Sequence, residues 1–113
     1  MSVTIYHNPR CMKSRQTLAR LSEHGIEPEV VLYLDSPPNE KTIQSLLKKL
    51  GLKAEQLVRK KDHQALGLAR PEDEAGWIAQ MAANPKIIER PIVVVGNEAR
   101  LGRPPESVDE ILP

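Results

Sequence analysis

The sequence predicts an α/β fold, a small mixed β-sheet with helices on its faces and a helical insertion in the middle third. Three observations carry that prediction. Strand-like, helix-like and strand-like patterns follow one another within the first 34 residues, which implies a right-handed βαβ crossover with parallel strands. From about residue 37 to residue 88 the apolar residues recur at helical spacing. Beyond that, a branched run, a Gly-Asn pair and a second extended run read as a hairpin, so antiparallel pairing joins the parallel pair.

Each element has a local reason. "VTIY" (Val3–Tyr6) is β-branched and aromatic and ends at the breaker Asn8-Pro9, so it reads as a strand. Thr17, Leu18 and Leu21 then share one helical face, and Gly25 closes the segment. "EVVLYL" (Glu29–Leu34) reads as a strand buried on both faces. "DSPPN" (Asp35–Asn39) is a turn, and Asn39 can cap the next helix. There Ile43, Leu46, Leu47 and Leu50 lie on one face before Gly51 stops the run. A short helix covers Ala54–Val58. Pro71 to Asn84 reads as a helix with Trp77, Ile78 and Met81 turned inward and Glu72–Glu74 at its positive end. "IVVV" (Ile92–Val95) and "EARLG" (Glu98–Gly102) flank the Gly96-Asn97 turn. Pro104-Pro105 starts a last helical turn or two, with Val108, Ile111 and Leu112 inward.

A chain of 113 residues reads as one domain, 1–113. Phe is absent, so Leu, Ile and Val fill the core, helped by Trp77, Tyr6 and Tyr33. Sixteen basic residues against 15 acidic ones leave a charge of +1. That balance excludes a protein that holds nucleic acid by bulk charge, while a local basic site stays open. No apolar run approaches the ~20 residues that span a bilayer, and no export segment is visible. The single cysteine rules out an internal disulfide framework. A reducing cytoplasm is the expected location, with the thiol free.

That cysteine, Cys11, stands in "YHNPRCMKSR" (Tyr6–Arg15). Free cysteines are usually buried and inert. This one follows a strand and sits just before an amphipathic helix, near free N–H groups and the positive end of the dipole. His7, Arg10, Lys13 and Arg15 add positive charge nearby. All of these favour thiolate over thiol, and the thiolate is the nucleophile. Cations at a helix start also oppose the dipole unless an anion binds there. Ser14 occupies the place of a resolving cysteine in a Cys-x-x-Cys motif. Its hydroxyl can cap the helix or hydrogen-bond a thiolate or oxyanion, but it cannot form a disulfide. Any redox cycle therefore needs an external thiol.

Arg90-Pro91 precedes one strand, Arg103-Pro104 follows another, and Arg59 lies in "LVRKK". Guanidinium forks bind oxyanions well, although spacing alone equally fits surface arginines. His7, His24 and His63 have no metal-ligand spacing with Cys11. No glycine-rich phosphate loop is present, and Thr17 stands where a C-x5-R phosphatase loop needs arginine.

The ordered set "TIYHNPRCMKSR", "LYLDSPP", "LVRKK", "LGLA", "ERPIVV" and "RLGRPPE" resembles the glutaredoxin-linked arsenate reductases of the ArsC family over nearly the whole chain. The resemblance implies a thioredoxin-like fold carrying the helical insertion. It implies reduction of arsenate to arsenite with glutathione as co-substrate, glutaredoxin as partner protein and no bound cofactor or metal. Cys11 would be the nucleophile and His7 its stabiliser. Arg59, Arg90 and Arg103 would bind the oxyanion, together with Ser14 and Arg15, which match the string after the cysteine. A cis Arg90-Pro91 bond is also implied. Met12 and Arg10 depart from the family pattern: Met12 stands where better-known members have Gly, and Arg10 where some have Ala. Two other functions fit the superfamily: a glutathione/glutaredoxin-linked thiol oxidoreductase with another substrate, and a Spx-like RNA polymerase-binding regulator without turnover. Spx-type proteins typically carry Cys-x-x-Cys, which Ser14 breaks.

Overall fold

The computed structural model describes residues 2–113. The chain divides into two compact units, Met1–Ser36 with Arg90–Pro113, and Pro37–Glu89.

The first unit holds β1 (Val3–His7), α1 (Met12–Glu23), β2 (Glu29–Leu32), β3 (Ile92–Val95), β4 (Glu98–Leu101) and a closing 3-10 segment (Pro105–Ile111). The strands form one four-stranded sheet in the order β2-β1-β3-β4. β1 pairs parallel with β2, Ile5 facing Val30, and antiparallel with β3, Ile5 facing Val93. Alternation decides what is buried: Val3, Ile5 and His7 are covered, while Thr4 and Tyr6 are half-covered. Val3, Ile5, Val93 and Val95 pack with Leu21, Val108 and Ile111 into one cluster. Truncating fully buried Ile5 to Ala should cost about 2–5 kcal/mol. Arg20 clasps Asp109 through both guanidinium arms, tying α1 to the closing segment.

β2 differs from the expectation. The strand ends at Leu32 and is the sheet edge, with Val30 44% and Leu32 40% exposed. Its apolar run suits burial on both faces, but among the described residues no strand lies on the outer side of β2. Tyr33, just past the strand, is the residue that goes inside. The hairpin turn takes its positive φ at Gly96 alone.

The second unit is helical: α2 (Glu40–Leu50), α3 (Ala54–Leu57), α4 (Lys60–Ala65), α5 (Glu74–Ala83) and a 3-10 turn (Pro85–Ile87). Asn39 caps α2 by accepting from the Thr42 N–H at 2.8 Å, and Gly51 ends it in the left-handed conformation. α5 begins later than the sequence pattern implies, at Glu74, because Asp73 caps it by accepting from the Gly76 N–H at 2.8 Å. The apolar stripes of α2 (Ile43, Leu46, Leu47) and α5 (Trp77, Ile78, Met81) are buried. α4 was not legible in the sequence, since its six residues, KKDHQA, show no apolar stripe. Among the described residues, no helix is long and apolar enough to cross a membrane.

Candidate active site around Cys11

Helix α1 starts at Cys11, its N-cap residue, with extended backbone angles. The loop that delivers it is held by Asn8. The Cys11 N–H donates to the Asn8 carbonyl at 3.0 Å. The Arg10 N–H donates to Asn8 Oδ1 at 3.0 Å, an Asx-turn. The Asn8 N–H in turn donates to Ser14 Oγ at 3.0 Å. The sequence marks Asn8 only as a breaker, although Asn before Pro is also a turn-forming pair.

No formal side-chain cap bond closes on Cys11, and the first turn of α1 contains no acidic residue. The sulfur nevertheless feels its surroundings. Partial burial pushes the thiol up. The Ser14 and Lys13 N–H groups and the charges of Arg90 and Arg103 pull it down, and the net is a thiol below its ordinary value. These influences come from two places, the open end of α1 and two arginines far away in sequence.

Arg10, Lys13 and Arg15, the cations beside Cys11 in sequence, are exposed. Arg15 turns back to donate to the Pro9 carbonyl at 3.2 Å. The side-chain charge that acts on the thiol is that of Arg90 and Arg103. Arg90 is buried at 5% exposure. Arg103 donates through Nη1 to the Arg90 carbonyl at 3.1 Å, so the two arginines are joined. Both adjoin prolines after cis bonds, Arg90-Pro91 and Arg103-Pro104.

His7 is a further correction. The sequence reading counts it among the positive charges. Burial first, and the Arg15 charge second, hold it below the usual imidazole value, so the ring is neutral at pH 7. Its Nδ1 lies 2.6 Å from Ser14 Oγ. Ser14 is wholly buried and joins the end of β1 to the start of α1 through its hydroxyl. Its backbone N–H, not that hydroxyl, is what acts on the Cys11 sulfur. Met12, immediately after the thiol, is 62% exposed.

Arg59 belongs to the second unit. It is the N-cap residue of α4 and its Nη1 bonds Asp62 Oδ2 at 3.0 Å. Asp62 is a partner the sequence reading did not identify. Among the described residues, no group of three or more His, Cys, Asp or Glu could hold a metal.

A model of the ArsC family matches residues 6–111. Among curated proteins, the uncharacterised protein YfgD of Escherichia coli K12 is 53% identical, covering 97% of this chain and 96% of its own. A protein of Haemophilus influenzae named arsenate reductase is 45% identical, covering 99% of this chain and all of its own. Among solved structures, one titled arsenate reductase from Vibrio cholerae superposes with a TM-score of 0.87 at 47% identity, covering 99% of this chain and 98% of that one. The fold is therefore the thioredoxin-like α/β fold of these proteins.

Proposed function

The chain belongs to the ArsC family, and on that premise we propose that it reduces arsenate to arsenite with Cys11 as nucleophile. The observation that carries the reading is the lone thiol held below its ordinary pKa with two arginine charges beside it. A relative named arsenate reductase supports the choice of substrate.

The Cys11 thiolate attacks arsenic, a sulfur–arsenic bond forms, and the displaced oxygen leaves as water after protonation. Arg90 and Arg103 hold the anion and offset the charge that builds on its oxygens, with orientation lowering the barrier further. Glutathione then attacks. Two electrons pass to arsenic, arsenite leaves, and Cys11 is left in a mixed disulfide with glutathione. Glutaredoxin takes the glutathione and frees the thiolate. Ser14, standing where a resolving cysteine would be, supports this use of outside thiols. Neutral His7 supports the site by holding Ser14, whose amide faces the sulfur. The assignment of Arg59 to the anion rests on the family resemblance, and Arg59→Ala tests it through KM for arsenate.

The deciding experiment measures arsenite formed from arsenate with glutathione and glutaredoxin. Wild type should turn over and Cys11→Ser should not. Equal activity in both, or none in wild type, overturns the reading. If wild type makes no arsenite, yet its Cys11 thiolate takes one glutathione from oxidised glutathione and releases the other as free thiol, the thiol-exchange function with another substrate replaces it.

A further inference from the structure

Gly102 lies buried just past the end of β4, one residue before Arg103. Its backbone does not need glycine, since its φ is not among the positive ones. Space does. A Cβ built there would stand 2.3 Å from Thr17 Oγ1, 2.7 Å from Pro91 Cγ and 3.1 Å from Thr17 Cγ2. Two of these distances are shorter than real Cβ contacts allow.

Neither neighbour can step aside cheaply. Thr17 is wholly buried in α1, and its hydroxyl donates to the Lys13 carbonyl at 2.8 Å. The Pro91 ring is rigid, and its carbonyl accepts the Gly102 N–H at 3.0 Å. A side chain at 102 must therefore move one of three things. It moves Pro91 with adjoining Arg90, or Arg103 next in the chain, or the turn of α1 whose Lys13 and Ser14 amides face the thiol. Each of the three carries a group that acts on Cys11.

We propose that Gly102 is a positioning residue whose missing side chain lets the start of β3 and the end of β4 close on α1, and so sets where Arg90 and Arg103 stand relative to Cys11. It touches no substrate and acts only through its neighbours. The inference rests on Cys11 being the working thiol, as argued above, but its test needs no arsenate.

The test titrates the Cys11 thiol by ultraviolet absorbance and by the pH dependence of its alkylation with iodoacetamide. In Gly102→Ala the thiol should titrate about half a unit or more above wild type. Alkylation below the pKa should then slow about threefold, because only the thiolate reacts. Adding Thr17→Ala removes two of the three crowding atoms and leaves Pro91 Cγ. The double variant should titrate between wild type and Gly102→Ala. A folded Gly102→Ala with a wild-type titration overturns the proposal, as does a double variant no different from the single one. If Gly102→Ala does not fold, Thr17→Ala in the same chain must restore folding with a thiol titrating above wild type. A wild-type titration there, or no folding, also overturns it. Absence of arsenate turnover in wild type would leave this outcome unaffected, so the two readings fail separately.

Discussion

The starts of α1 and α5 solve the same physical problem in opposite ways. Both helices expose unpaired N–H groups and a positive dipole end. At α5, Asp73 accepts from the Gly76 N–H and Glu74 adds negative charge in the first turn. At α1, Cys11 occupies the cap position without a formal cap bond, no acid follows in the first turn, and the charges of Arg90 and Arg103 bear on its sulfur. The α5 start is made for stability. The α1 start keeps its dipole and amides available for a negative sulfur and, in the proposed function, for an oxyanion. In the proposed function, local stability is given up where the chemistry takes place.

The sharpest way to break that contrast is to make α1 resemble α5. Cys11→Asp should abolish arsenite formation. It should also raise the stability of the fold by about 1 kcal/mol through a true cap, read from denaturant midpoints. A variant that keeps activity would sink the role of the sulfur, and a lower midpoint would contradict the account of the helix start.

Next in size is the loss of a cation. Arg103→Ala should lower kcat/KM for arsenate by about 10²-fold, in the range of one removed oxyanion donor. Because Arg103 also lowers the thiol pKa, alkylation of Cys11 should shift to higher pH. Unchanged kinetics and unchanged alkylation together would leave Arg103 without a role.

The converse change belongs to α5. Asp73→Ala should cost about 1 kcal/mol of stability by deleting the cap. Thiol titration should stay at the wild-type value, since Asp73 is not among the groups acting on Cys11. A moved thiol pKa would blur the contrast between the two helix starts.

The smallest effect is a pH linkage. The folded Cys11 pKa lies below its unfolded value, so the native state binds its proton less tightly. The stabilisation is complete above the unfolded thiol pKa of about 8.5 and is lost as pH falls through the folded value. Wild type should therefore gain stability over Cys11→Ser as pH rises from neutral into the alkaline range. A constant difference across that window would mean that the fold does not favour the thiolate.

Much of this architecture was legible locally. The strand before Asn8-Pro9, the Asn39 cap, the Gly51 stop and the hairpin turn depend on neighbours a few residues apart, and sequence displays those directly. Cys11 and Ser14 were visible for the same reason. Sequence does not display whatever depends on distant partners. The run Glu29–Leu34 looked doubly buried because sequence does not show that β2 lies at the sheet edge. Helix α4 leaves no periodic signal in the sequence, because its six residues carry no stripe.

By itself, then, the sequence determined a lone thiol at a helix start without an internal resolving thiol, and the order of elements around it. Only the tertiary structure decided which charges serve that thiol. Arg10, Lys13 and Arg15 crowd Cys11 in the chain, yet side chains on successive residues of a helix start point in different directions. The sheet supplies the others. Pairing Tyr6 with Ile92 brings the start of β3 to the end of β1, and pairing Ile92 with Leu101 brings the end of β4 there too. Arg90 and Arg103 follow from those two registers, and Gly102 provides the space that lets them close.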